Sequence, residues 1–161
     1  MFEVIYRLLE MLALVLCLHS LSGEKVKFDI YNVGFIVIEL TFMQMIRDGI
    51  VSKQLYFAVY LIYFVYAYVK FKDTIQRTIL KCLLTTFVMC GLQIVIYVPM
   101  YFASYYITDE TVIVLIVNTL VFMFLFFTKK SKRYSKMVEF CASRDWILRI
   151  CVAFCVLVAI Y

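Results

Sequence analysis

The sequence predicts an all-α, polytopic transmembrane bundle of about six helices, and three observations predict it. The chain has 161 residues, of which 66% are apolar, and its mean hydropathy is +0.97. Charged residues make up 17% of it, against about a quarter in soluble domains, and they fall almost wholly between long apolar runs. Those runs approach the roughly 20 residues that a helix needs to cross about 30 Å of hydrocarbon. They are apolar on every face, which argues against the alternating strands of a β-barrel. With 4 Gly and 1 Pro there is little room for linkers or broken helices, and no stretch remains for a soluble domain. Residues 1–161 therefore read as one transmembrane unit whose first partner is the lipid bilayer.

The first span covers residues 4–21. It is not a cleavable signal peptide, because Glu3 and Glu10 spoil a basic leader and no small-residue cleavage site follows. Glu10 lies within it, and Arg7 sits three residues away on the same face as its natural partner. His19 closes the span beside Ser20 and reads as interfacial.

The second span, residues 30–46, carries Glu39 near its centre between Ile38 and Leu40. An ionised carboxylate alone in hydrocarbon is costly, so Glu39 is either neutral or paired. It is a packing carboxyl, a sensing and coupling group, or part of a proton relay. The third span, residues 55–69, bears a stripe of Tyr56, Tyr60 and Tyr63 that reads as a packing face.

The fourth span, residues 79–98, carries Thr86, Cys90, Gln93 and Tyr97 at steps of four, three and four. Those steps place them on one helix face, which should meet protein or a cavity. Pro99 is expected to end this helix. The fifth span, residues 111–128, carries Asn118. The sixth, residues 147–161, has about 15 residues, fewer than a crossing needs. It is still apolar at Tyr161, so the chain is expected to be a fragment of something longer.

Lys and Arg set the orientation. Loops one, three and five hold twelve of them (Lys25, Lys27; Lys70, Lys72, Arg77, Lys81; Lys129, Lys130, Lys132, Arg133, Lys136, Arg144), and loops two and four hold only Arg47 and Lys53. The positive-inside rule then puts the odd loops in the cytoplasm and the N-terminus outside. Tyr101, Tyr105 and Tyr106 fit the outer boundary and Trp146 the inner one. The net charge of +5 is explained by this pattern, so nucleic acid is not an expected partner. The six Cys include no C-x-x-C and the chain has one His, which argues against a zinc site of ordinary spacing; no cofactor is expected.

In that orientation Glu10, Gln93, Tyr97 and Asn118 fall in the outer half of the bilayer. Four polar groups from three spans at one depth suggest a ligand pocket open to the outside; independent helix contacts are the alternative reading.

The run YRLLEMLALVLCLHSLSGEKVKFDIYNV, followed by FIVIELTFMQMI, resembles the N-terminal membrane sensor of accessory-gene-regulator-type sensor histidine kinases, the GHKL-type kinases common in Firmicutes. LQIVIYVP and LIVNTLV are similar to the middle spans of that group. The resemblance implies a six- or seven-helix sensor in a bacterial cell membrane that detects a peptide signal at its outer face and works as a homodimer. It also implies a cytoplasmic kinase further on. The chain has no dimerisation helix, N-box or glycine-rich ATP lid, so it is not expected to be an enzyme by itself.

Two other functions compete with a sensor. A small transport subunit, such as the substrate-binding component of a vitamin transporter, is a six-helix bundle of similar size. Its Ala-x-x-x-Ala coupling pattern is missing, because Ala13 is followed by Cys17. A membrane peptidase that processes pheromone precursors would need a His and a Cys acting together in a cytoplasmic loop. His19 has no Gly-Gly-x-His context, and Cys141 is the only loop Cys.

Overall fold

The computed structural model describes residues 2–27, 29–103, 110–128 and 133–142. They form six α-helices: α1 (Phe2–Ser22), α2 (Ile30–Arg47), α3 (Ala58–Phe71), α4 (Ile75–Ala103), α5 (Glu110–Thr128) and α6 (Arg133–Ala142). A 3₁₀ turn, Lys53–Phe57, leads into α3, and no strand occurs among the described residues. α1, α2, α4 and α5 are long and apolar enough to cross a bilayer, and α3 is a shorter apolar helix. The chain is a multi-pass, all-α membrane protein. The sixth expected span, residues 147–161, lies outside the described residues, as do Trp146, Tyr105 and Tyr106.

Three elements differ from the sequence reading. The third span opens as a 3₁₀ turn, because Ser52 and Gln54 begin a tight turn in which the Leu55 amide donates to the Ser52 carbonyl at 2.9 Å. Five 3₁₀ residues rise about 10 Å and the 14 of α3 about 21 Å, so turn and helix together reach about the hydrocarbon thickness. The fourth helix does not end at Pro99 but runs through it to Ala103. Proline removes one backbone bond there, and membrane helices tolerate that loss through local adjustment. At 29 residues α4 is about 43 Å long, more than the hydrocarbon needs, so it tilts or projects. Finally, α6 occupies a segment read as a basic loop. Val138 is buried on one side of it, while Lys136, Glu139 and Phe140 are exposed.

α1 is the central helix, and its two faces explain why. Ala13, Leu16, Cys17 and Leu21 pack on Leu80, Leu84 and Met89 of α4, on Ile113, Val117, Val121 and Leu125 of α5, and on Val138 of α6. Met11, Val15 and Leu18 pack instead on Phe35 of α2, on Tyr63, Tyr66 and Ala67 of α3, and on Cys82 of α4. Each set steps along α1 by three and four residues, the spacing of one helix face. With both faces apolar and both covered, α1 is enclosed by protein from Met11 to Leu21, whereas Val4, Ile5 and Leu8 near its start are exposed.

The end of the bundle that carries Lys70 and Lys81 is held by polar contacts. The Asp29 carboxylate accepts from the Asn32 amide at 3.0 Å and so caps α2. Asn32 donates its side-chain amide to the Lys27 carbonyl at 2.6 Å and accepts from the Tyr66 hydroxyl at 2.6 Å. Lys70 pairs with Asp29, and Lys81 with Asp73. The hydrogen bond from Lys70 holds the Asp29 carboxyl below its usual range. Lys72 ends α3 with φ +50°, a left-handed cap normally filled by glycine, and its amide donates to the Tyr68 carbonyl at 3.0 Å.

Candidate functional site: a polar-backed cleft between three helices

Glu10, Gln93, Tyr97 and Asn118 converge. The Gln93 side-chain amide nitrogen of α4 donates to Oδ1 of Asn118 on α5 at 3.1 Å and to Oε1 of Glu10 on α1 at 3.4 Å. One amide thus ties three helices together. Asn118 is 4% exposed, so it is a buried polar group with its partner in place. Glu10 lies eight residues beyond Phe2, about 12 Å along α1.

The three groups form the back of a largely apolar cleft of about 320 Å³. α1 contributes Tyr6 and Glu10; α4 contributes Gln93, Ile94, Tyr97 and Val98; α5 contributes Val114, Val117 and Asn118. An apolar cavity with a few convergent polar groups is the usual form of a ligand site. Chemically the cleft offers one carboxyl group, two amides and two tyrosine rings. Arg7 lies outside the lining, its guanidinium 5.8 Å from the centre of the Tyr6 ring. Glu10 thus has a hydrogen-bond partner in Gln93, 83 residues away in sequence, beside the Arg7 charge that sequence spacing offered.

The rest of the expected α4 stripe divides. Thr86 bonds back to the Cys82 carbonyl at 3.0 Å, within its own helix. Cys90 is exposed, contrary to the expectation that the whole stripe meets protein or a cavity. Cys90 and Tyr97 are seven residues apart and so share an angular position to within about 20°, whereas Gln93 is turned further inward. The stripe marks the edge of the buried face, with Gln93 just inside it. Cys17 and Cys82 are buried free thiols, as small apolar residues would be.

Glu39 does not line the cleft. It is 2% exposed and shares the buried stripe of α2 with Asn32, Phe35 and Ile46. Its Oε2 is buried with no hydrogen-bond partner. The expected tyrosine stripe of the third span also divides. Tyr63 is buried with its hydroxyl unpartnered, and Tyr60 is exposed. The side chain that takes the structural part is Tyr66, which stacks on Phe35 with centroids 4.2 Å apart and bonds Asn32. Its i, i+3 spacing from Tyr63 was the available signal. His19, in the last turn of α1, is buried by protein: Nδ1 donates to the Val15 carbonyl at 3.0 Å, the ring meets the edge of Phe71, and Nε2 has no partner.

The sequence reading missed Tyr6, Ile94, Val98, Val114 and Val117 as lining residues. Among the described residues, no group of three or more His, Cys, Asp or Glu is placed to hold a metal ion. No family model, no curated protein and no solved structure matches this chain.

Proposed function

We propose that the chain is a membrane-embedded sensor module of the kind that precedes a histidine kinase, and that it recognises a peptide or small amphipathic signal in the cleft between α1, α4 and α5. The observation that carries this reading is the convergence of Glu10, Gln93, Tyr97 and Asn118 from three helices around one cavity. Two further features support it. α1 carries the cleft in one half and packs on α6 through the other, so a shift of α1 reaches both. Glu39 leaves a buried carboxyl oxygen unsatisfied on α2, where a second arrangement of the helices could satisfy it.

A ligand that competes for the Gln93 amide loosens the tie among three helices. It then favours one arrangement over another only through different affinity for the two. The bilayer orientation in this reading is N-terminus out, from twelve basic residues on the odd loops against two on the even ones. The module works as a homodimer, as sensor kinases of this group imply.

The test uses the full chain in vesicles and an organic extract of medium from cells that carry the gene. The extract is expected to change amide hydrogen exchange in α6 and around residues 93–98 and 114–118. Gln93→Leu and Asn118→Leu should abolish that change while keeping the bundle folded. Accumulation of a solute inside the vesicles, with exchange in α6 unaltered, would refute the sensor reading and favour transport. Orientation is read in intact cells with an impermeant thiol reagent: Ser52→Cys should react and Lys72→Cys should not.

A further inference from the structure

We propose that the cleft admits its ligand sideways from the bilayer and holds an apolar body that ends in a primary ammonium group. The inference rests on the reading of the cleft as a ligand site and specifies what chemistry the site takes.

The route follows from the rim. Ile94 and Val98 are lining residues and are also 61% and 49% exposed. They continue along α4 into an exposed apolar face with Val95 and Phe102. A helix face of that kind, on an element of membrane-spanning length, meets hydrocarbon. The rim of the cleft that Ile94 and Val98 form therefore faces lipid tails, and a ligand dissolved in the bilayer reaches it without crossing a polar surface.

The head group follows from the hydrogen-bonding inventory of the back wall. The lining includes one acid, Glu10, and no Lys, Arg or His; Arg7, which acts electrostatically on Glu10, lies outside it beside the Tyr6 ring. Gln93 directs its amide nitrogen at both Glu10 and Asn118, which leaves its carbonyl oxygen as an acceptor. The second Glu10 oxygen is also an acceptor. Two acceptors, one of them on an acid, fit a head with several N–H donors and a positive charge. Tyr97 adds an aromatic ring to the same wall, and a cation near such a ring is attracted by its quadrupole. A carboxylate head would meet Glu10 and be repelled. The cavity of about 320 Å³ takes the head and the first part of an apolar chain. The remainder lies along Ile94 and Val98 in the lipid.

The experiment photolabels the full chain in phosphatidylcholine vesicles with a diazirine-bearing dodecylamine and, separately, a diazirine-bearing dodecanoic acid. Labelled peptides are mapped by mass spectrometry. The amine is expected to label residues 92–98 and 113–118 at least about tenfold more than the acid, and Glu10→Gln to lower amine labelling about tenfold, the loss expected for one charge-assisted hydrogen bond. Val114→Trp, which fills the cavity and leaves Glu10 in place, should abolish the labelling as well. That variant keeps the result interpretable if Glu10→Gln disturbs folding. Unlabelled dodecylamine should compete, and butylamine at the same aqueous concentration should not.

Equal labelling by the acid, or full labelling of Glu10→Gln, would overturn the head-group assignment. Competition by butylamine, or no labelling around residues 92–98, would overturn the lateral route. An apolar peptide with a free N-terminus that competes, where its acetylated form does not, identifies a peptide amine as the source. Competition by dodecylamine alone identifies a lipid-like amine, and equal competition by the acetylated peptide overturns the proposal. Labelling without any change of exchange in α6 would sink the sensor reading and leave this inference standing. An extract that alters α6 while dodecylamine is ignored would do the reverse.

Discussion

Replacing Gln93 should cost more than replacing Asn118, and the two losses should not add. Gln93 donates one amide nitrogen to two acceptors, so Gln93→Leu forfeits both bonds. Side-chain hydrogen bonds between membrane helices average about 0.6 kcal/mol, which makes that loss about 1.2 kcal/mol. Asn118→Leu removes the 3.1 Å bond but leaves Gln93 on Glu10, a loss of about 0.6 kcal/mol. In the double variant nothing further remains to lose, so it should cost about as much as Gln93→Leu alone. The resulting non-additivity of about 0.6 kcal/mol is the signature of a shared bond. The assay is reversible unfolding of the purified chain in mixed micelles as the fraction of dodecyl sulfate rises, with helicity as the readout. Plain additivity, a double variant near 1.8 kcal/mol, would mean that Gln93 and Asn118 share no bond and that the back wall of the cleft is not built as described.

Three other outcomes are expected. Asp29→Asn should keep the α2 cap, since Asn also caps helices, but lose the ion pair with Lys70. The parent Asp29 carboxyl titrates below its ordinary 3.8 when folded, so its contribution is complete above that value and is lost as pH falls through the lower, folded value. A pH titration of unfolding should therefore show an acid loss in the parent that Asp29→Asn lacks; identical profiles would count against the pair. Glu39→Gln should run normally on detergent gel filtration, whereas Glu39→Lys should aggregate or express poorly, a central Lys costing about 2.5–3.5 kcal/mol on insertion. A well-behaved Lys variant would show that Glu39 faces water. Lys72→Gly should stabilise the chain by up to about 1 kcal/mol, because glycine adopts the left-handed cap without a Cβ penalty; an unchanged unfolding midpoint would argue against that backbone geometry.

Hydropathy was enough to find α1, α2, α4 and α5, because the need for about 20 apolar residues leaves a mark that survives any packing arrangement. It was not enough for their ends. Pro99 looked terminal because proline breaks helices in water, while a membrane helix continues past it. α6 was hidden because lysines drew the eye to topology, although Tyr134 and Val138 lie one turn apart and mark a buried side. At the cleft, spacing placed Gln93 and Tyr97 on α4, and charge counting placed Glu10 and Asn118 at the same depth. Which helices are neighbours was beyond it, since an all-apolar helix carries no strong periodic sign of the face it turns to each partner. That is also why the burial of His19 against Phe71 of α3, at the end of a span, was not legible from its position.

The central position of α1 has a consequence for how the chain is made. α1 leaves the ribosome before α2 to α6, yet groups that satisfy it arrive much later: Gln93 on α4 bonds Glu10, and α5 supplies much of the wall around Ala13 and Leu16. During synthesis α1 therefore waits, with Glu10 still unmet, until α4 and α5 have entered the membrane. Unsatisfied polar groups in hydrocarbon cost several kcal/mol each, so the young helix is expected to stay beside the insertion machinery instead of diffusing away. Crosslinks from α1 to that machinery should persist in nascent chains stalled before residue 110 and vanish once α5 has emerged; early release would show that α1 is sheltered by α2 and α3 alone.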